Sequence, residues 1–238
     1  MTKRYVTAAL AVGALLVAAP PLVAVAGATT NDGEVTGTIV NALNGKPVTG
    51  GCFTMWTTSG TFTFFAAPDG SYDATNLPEG YWEASASDCS GKPKYAPVVY
   101  DGHPGLDGDQ NSVNFVNVLG GGVPTTGIDF VLPKGGTIKV KLTDSVTHKP
   151  ISGATVCPDA AVLNNSGQPY QTGFCTNTNS KGDAEMRAVV AGTSTMFAFA
   201  TGYNFAWYTN QPDFAHATQF TVTAGATTKL AMSLAPTG

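Results

Sequence analysis

Charge is scarce in this chain, with Asp, Glu, Lys and Arg making up only 12% of its 238 residues. Long amphipathic helices draw on Leu, Glu, Lys and Arg, so a chain this poor in charge is not organised around them. Histidine is scarcer still. His103, His148 and His216 fall in three different polar loops, none with a second ligand at metal spacing. The four cysteines include no Cys-x-x-Cys pair, which removes the usual zinc reading. No His-Glu-x-x-His helix, Gly-x-Ser-x-Gly elbow or phosphate loop occurs. A basic stripe interleaved with aromatics is also missing, which argues against nucleic acid and against an anionic lipid surface. A glycosidase would need two carboxyl groups facing each other across a cleft. Most of the acids sit instead at turn positions, among them Asp69, Glu79, Asp88, Asp144 and Asp183. The sequence therefore predicts no enzyme activity, no metal and no cofactor.

What the chain does have is short β-branched and aromatic runs split by 28 glycines and 15 prolines, the pattern of an all-β sandwich class. It also repeats itself, which bears on the fold before any site chemistry does. Residues 35–50 and 138–153 align without a gap at an offset of 103: an alternating strand, a polar turn, then Lys46-Pro47-Val48-Thr49-Gly50 against Lys149-Pro150-Ile151-Ser152-Gly153. Asp69-Gly70 answers Lys181-Gly182, and Gly80 answers Gly192, at an offset of 112. Tyr95, Tyr100 and Pro104 answer Tyr203, Tyr208 and Pro212 at 108, and Ile128, Phe130 and Leu132 answer Leu230, Met232 and Leu234 at 102. Landmarks that keep their order while the offset drifts mean homologous modules with loop insertions. Two modules are expected, at 32–133 and 137–238, joined by the four-residue linker 133–136, which is too short for much independent motion.

The N-terminus reads differently. Lys3 and Arg4 precede an uncharged run from Tyr5 to Ala26, followed by small residues. Residues 1–28 are expected to be a secretory signal peptide. An uncleaved anchor is the alternative, but Pro20-Pro21 interrupts the run. Without Lys3 and Arg4, 10 of the 12 basic residues face 16 acidic ones, a net charge near −6. In an exported chain, Cys52, Cys89, Cys157 and Cys175 should be paired. Three pairings are possible, and separate modules favour Cys52–Cys89 with Cys157–Cys175. Such loops stabilise a fold by about 3–4 kcal/mol on the chain-entropy model.

The run of strand, Asn44-Gly45-Lys46-Pro47-Val48-Thr49-Gly50, strand, Pro68-Asp69-Gly70-Ser71-Tyr72, Leu77-Pro78-Glu79-Gly80-Tyr81-Trp82, strand resembles the carboxypeptidase regulatory-like family. That resemblance implies two tandem transthyretin-like (prealbumin-like) β-sandwiches, a fold also classed as carbohydrate-binding-like. It concerns a non-catalytic accessory module and not the zinc peptidase. The cysteine and tyrosine pattern (Cys52, Asp88-Cys89, Tyr95, Tyr100) resembles a variant found in secreted actinobacterial proteins.

Binding is thus the expected activity, with polysaccharide or cell-envelope glycan as the leading partner. Exposed Trp and Tyr rings can stack on the apolar faces of sugars, and the candidates are Trp56, Trp82, Trp207 and Tyr208. Tyr100 and Tyr208 recur in both modules, which points to packing, whereas Trp56 and Trp207 do not recur. Strand alternation is expected to place Tyr203, Phe205 and Trp207 on one face and Tyr208 on the other. Asp101, Asp107 and Asp109 form a loop whose spacing is not that of an EF-hand, and a flexible polar loop is the simpler reading. The alternative partner is another extracellular protein, and a polysaccharide hydrolase of amylase type comes third. Exposed coplanar Trp/Tyr pairs would favour glycan; a bare β edge or apolar patch would favour protein; opposed carboxylates would favour catalysis.

Overall fold

The computed structural model describes residues 31–100, 104–106, 114–163 and 169–238. The expected signal peptide and Asp101, Asp107 and Asp109 lie outside the described residues. The described chain is all β, with one 3-10 turn at Phe214–His216.

The first sandwich comprises β1 (Gly33–Asn41), β2 (Gly51–Thr57), β3 (Gly60–Phe65), β4 (Ser71–Leu77), β5 (Gly80–Asp88), β6 (Val98–Val99), β7 (Val116–Val118) and β8 (Phe130–Leu132). One sheet runs β4-β1-β8, with β8 parallel to β1, and the other β3-β2-β5-β6, with β7 also on β5. The second comprises β9 (Gly136–Asp144), β10 (Thr155–Leu163), β11 (Pro169–Gln171), β12 (Thr176–Asn177), β13 (Asp183–Val189), β14 (Gly192–Phe199), β15 (Ala206–Trp207), β16 (Phe220–Val222) and β17 (Thr227–Leu234). Its sheets run β13-β9-β17 and β11-β10-β14-β15, with β12 on β10 and β16 on β14.

Each pair of sheets closes on its own core. In the first, Val35 and Ile39 of β1 meet Phe53 and Met55 of β2, with Tyr72, Leu77 and Phe130 around them. Phe53 stacks on Tyr72 at 4.6 Å, and the Tyr72 hydroxyl donates to the Ile128 carbonyl at 2.6 Å. Burial pushes that phenol far above its ordinary pKa, so it stays a donor. The second core gathers Ile138, Val140 and Leu142 against Val156, Met186 and Met196.

The sequence repeat is a repeat of hydrogen bonds. Ile39 N–H donates to the Gly70 carbonyl and Leu142 N–H to that of Gly182, both at 2.8 Å. Tyr100 N–H reaches Ala84 as Tyr208 N–H reaches Met196, both at 2.9 Å. Gly70 and Gly182 have φ of +86° and +74°, and a Cβ on Gly182 would fall 2.4 Å from the Leu142 carbonyl oxygen. Only glycine meets both demands. At the end of the first strand, the Asn41 side chain accepts from Leu43 and Asn44 N–H and donates to the Lys46 carbonyl. Asp144, its counterpart, accepts from Val146 and Thr147 N–H at 2.8 and 2.7 Å and from the Tyr203 hydroxyl. One turn is held by an amide, the other by a carboxylate.

Both expected disulfides form, Cys52–Cys89 and Cys157–Cys175. Within residues 96–100 only the two-residue β6 forms. Pro97 has no N–H, and Ala96 N–H goes instead to the Pro133 carbonyl. Nor does strand alternation run from Tyr203 to Trp207. β15 begins at Ala206, so Tyr203 turns inward to the core with Tyr208, away from Phe205 and Trp207. The linker is held from both sides: Gly135 N–H donates to the Lys94 carbonyl, and the Gly135 carbonyl accepts from Gly225 N–H.

Two predictions follow from these turns. Gly182→Ala should cost about 2–4 kcal/mol, from both the positive φ and the clash. Gly153→Ala, with φ +75° and nothing within 4 Å, should cost only about 1–2 kcal/mol. Denaturant unfolding of the two variants compares them, and equal costs would remove the close approach as a constraint. The hydrogen bonds from Thr147 and Val146 hold the Asp144 carboxyl below its ordinary 3.8. A lowered folded-state pKa means that this stabilisation is complete above the unfolded value and is lost as pH falls through the folded one. The amide NMR shifts of Val146 and Thr147 should titrate with a midpoint below 3.8, and Asp144→Asn should abolish that titration.

Candidate functional site

Residues 47–68 contain no charged side chain and no histidine. They include the hairpin of β2 and β3, and β3 is the end strand of its sheet. All six β3 residues pair with β2, from Thr57↔Gly60 to Cys52↔Phe65. Just beyond the strand, Ala66 N–H donates to the Gly51 carbonyl, and this sets the parity of the ladder. Gly60, Phe62 and Phe64 turn their backbone groups towards β2, so Thr61, Thr63 and Phe65 present theirs outward. Phe62 and Phe64 pack on the core, while Thr61, Thr63 and Phe65 point to solvent, Phe65 being 69% exposed. Among the described residues no strand pairs with the outer side of β3.

The remaining edges are short or charged. β6, β12 and β15 have two residues each, and β7, β8, β11 and β16 have three. β4 carries Asp73, and β17 carries Lys229. β13 carries Asp183, Glu185 and Arg187, with Lys141 and Lys139 of β9 ion-paired to the two acids at 3.2 and 3.6 Å. Such devices stop one edge from pairing with another. β3 has none of them.

The second sandwich treats the corresponding edge differently. In the first sandwich Trp56 pairs with Thr61 on one side and Glu83 on the other. In the second, Asp159 pairs with Gln171 and Thr195, so Gln171 takes the place of Thr61. Here the strand is split into β11 and β12, and its outer side is occupied. Leu106 N–H, from the first sandwich, donates to the Gln171 carbonyl at 3.0 Å, and Gly105 lies against Tyr170 and Gln171. Beside this contact is a cleft of about 530 Å³ lined by Trp56, Glu83, Leu106, Gln171 and Phe174.

The candidate rings are placed as follows. Trp56 is half-buried and lines the cleft. Trp82 packs on the first core, with its indole N–H donating to the Pro78 carbonyl at 2.8 Å. Trp207 is only 8% exposed and stands edge-on to Phe197, Phe205 and Phe214 at 5.1–5.9 Å. Tyr208 packs edge-on to Phe220 at the second core, and Tyr100 similarly against Phe130 at the first. Among the described residues the exposed rings are instead Phe65, Tyr81, Phe115, Phe174, Phe199 and Phe205. Phe65 and Phe174 are not among the candidate rings because phenylalanine, unlike Trp and Tyr, carries no polar group to bind a sugar hydroxyl. The uncharged stretch around β3, and the even-odd parity within it, was the available signal.

Asp73 and Asp129 line one depression on the β4-β1-β8 sheet. The Asp129 carboxylate is engaged there, accepting from Thr38 N–H and Oγ1–H at 2.8 Å each. His148 occupies a left-handed turn at φ +59° and is exposed, as expected for the counterpart of Gly45. His216 meets Asp213 at 2.7 Å, a contact that lowers the Asp213 pKa. Among the described residues no group of three or more His, Cys, Asp and Glu could hold a metal. No described helix is long and apolar enough to cross a membrane.

No protein-family model matches the chain, and no curated protein does. Solved structures with a similar course include the Bacillus anthracis TIE protein, at 16% identity, covering 86% of this chain and 34% of that one, with a TM-score of 0.33. The chain thus spans about a third of that structure. The shaft pilin spaA of Lactobacillus rhamnosus GG is 12% identical, with 87% and 98% covered and a TM-score of 0.31. The minor pilin GBS52 of Streptococcus agalactiae is 13% identical, with 86% and 96% covered and a TM-score of 0.31. Likenesses this remote carry no functional argument.

Burial separates the two tryptophans that do not recur. Trp207→Ala should cost about 3–5 kcal/mol in denaturant unfolding, as for a buried aromatic ring. Trp56→Ala should cost less than half as much, and similar losses would place the Trp56 ring in the packed interior.

Proposed function

We propose that the protein is a secreted, non-catalytic structural or adhesive protein whose partner is another protein chain, bound by strand addition at β3. The observation that carries this reading is the β3 edge: six residues long, uncharged, fully paired on one side and with no described strand paired on the other. An added strand would take main-chain hydrogen bonds from Thr61, Thr63 and Phe65, with Phe65 and its neighbours giving side-chain contacts. The disulfides fit an oxidising compartment, and hence secretion. In this reading the sandwiches are carboxypeptidase regulatory-like modules serving as a rigid mount.

A second reading, glycan recognition, is favoured by the cleft at Trp56. A ring, a carboxylate and an amide converge there, the combination a sugar needs for stacking and hydroxyl recognition.

The test compares wild type with Thr63→Lys, a charge placed on the edge at an exposed position, as immobilised baits for cell-surface and secreted proteins. The partner captured by wild type should be lost at least tenfold on the variant. Equal capture would remove β3 as the binding edge. In parallel, wild type and Trp56→Ala are incubated with insoluble polysaccharides and cell walls; binding lost only in Trp56→Ala would establish the glycan reading instead.

A further inference from the structure

Building on the strand-edge reading, we infer that the occupant of β3 is a second copy of this chain, which seats its Phe214 turn head to tail at the Thr61 end of the edge in place of a full added strand. The chain contains its own example of the contact. Between its two sandwiches, the Gly105–Leu106 segment of the first seats on the outer side of β11 in the second, with Leu106 N–H on the Gln171 carbonyl. Thr61 on β3 is the counterpart of Gln171 by strand register, and its carbonyl likewise points outward.

The other half of the contact also has a counterpart. Pro104 answers Pro212, and two residues further on Leu106 answers Phe214. The structure places both alike on their sheets. Leu106 lines its cleft with Glu83, and Phe214 lines a 90 Å³ pocket with Thr195, which holds the register position of Glu83. At Leu106 the wall is completed by Gln171 and Phe174 of the following sandwich. At Phe214 no following sandwich stands among the described residues, and the neighbouring Ala215 and His216 are exposed. Among the described residues, then, the β3 edge and the Phe214 turn each stand as one unmatched half of this contact.

Charge does not oppose the match. Residues 47–68 are uncharged, and Asp213 and His216 are paired with each other. The two halves are different surfaces, so the contact is heterologous and the series it generates is open rather than a closed dimer. Between chains no four-residue linker raises the local concentration, so association should be weak and strongly concentration-dependent.

Sedimentation of the whole exported chain over a wide concentration range tests this. Its mass should rise reversibly past the dimer. Thr61→Lys, which sets a charge at an exposed position beside the carbonyl that the turn engages, and Phe214→Lys should each stay monomeric alone. Mixed together they should form a one-to-one heterodimer that grows no further, since one supplies the intact turn and the other the intact edge. Circular dichroism and thermal melting of each variant check that the fold persists. A wild type that stays monomeric throughout overturns the inference. So does a closed dimer that survives Phe214→Lys, which would mean β3 pairing with β3. If self-association is absent while Thr63→Lys still loses a foreign partner, the inference fails and the strand-edge reading stands. If Thr63→Lys changes neither, both fail.

Discussion

An extended backbone must satisfy its N–H and C=O groups on two sides, and the rest of this structure is arranged around that demand. In the second sandwich the first strand meets it with a strand on each side, antiparallel β13 and parallel β17; in the first, β4 pairs with one end of β1 and β8 with the other, while Thr125 bonds Glu34 and Thr36 opposite β4. The Lys-Pro turn follows from this, because Val48 and Ile151 must return their amides to that strand. So do the glycines opposite, which let a loop carbonyl approach the same strand closely enough to be bound. Strands further from the centre meet the demand less fully, and the outermost ones decide how the molecule faces others. Short length, charge or a covering loop settles most of them. The hairpin of β2 and β3 is left as the exception.

The two sandwiches use different means at the same positions. Asn41 and Asp144 close the same turn, one with a neutral amide and the other with a carboxylate that ties in Tyr203 as well. The disulfides differ more. Cys52–Cys89 joins β2 to the loop after β5, whereas Cys157–Cys175 ties β10 to the broken edge beside it. The second bridge lies at the edge that the first sandwich covers, and helps fix the irregular course that keeps β11 short. The first sandwich has no such fixture on its edge, and there the strand runs straight.

Much of the fold was legible in the sequence. Repeated landmarks gave the order of the strands, and the cysteine positions gave the pairing of the bridges. Strand ends were less legible where proline diverts an amide, as at Pro97, and the inward turn of Tyr203 could not be read from a two-residue strand. The site was legible only in part. Trp56 stands out as a residue without a counterpart and does line a cleft, but the burial of Trp207 depends on Phe197, Phe205 and Phe214 converging from separate segments. The β3 edge left a trace in the sequence as an absence of charge. That no described strand pairs with its outer side is a matter of tertiary arrangement, which local pattern does not encode.

The parallel closing strands also govern how the molecule bears load. In each sandwich the first strand and the last are parallel neighbours, so tension drawn along the chain slides one past the other and strains their hydrogen bonds together, rather than peeling them singly. The two clamps are unequal: β8 matches β1 over three residue pairs, Ile39↔Phe130 to Asn41↔Leu132, whereas β17 matches β9 over eight, Thr227↔Thr137 to Leu234↔Asp144. Under a steady pull the first sandwich should yield before the second. Extension would then be limited by the Cys52–Cys89 bridge, which keeps 37 residues of separation from paying out, so the protein would behave as a tether with one soft stage and one stiff one.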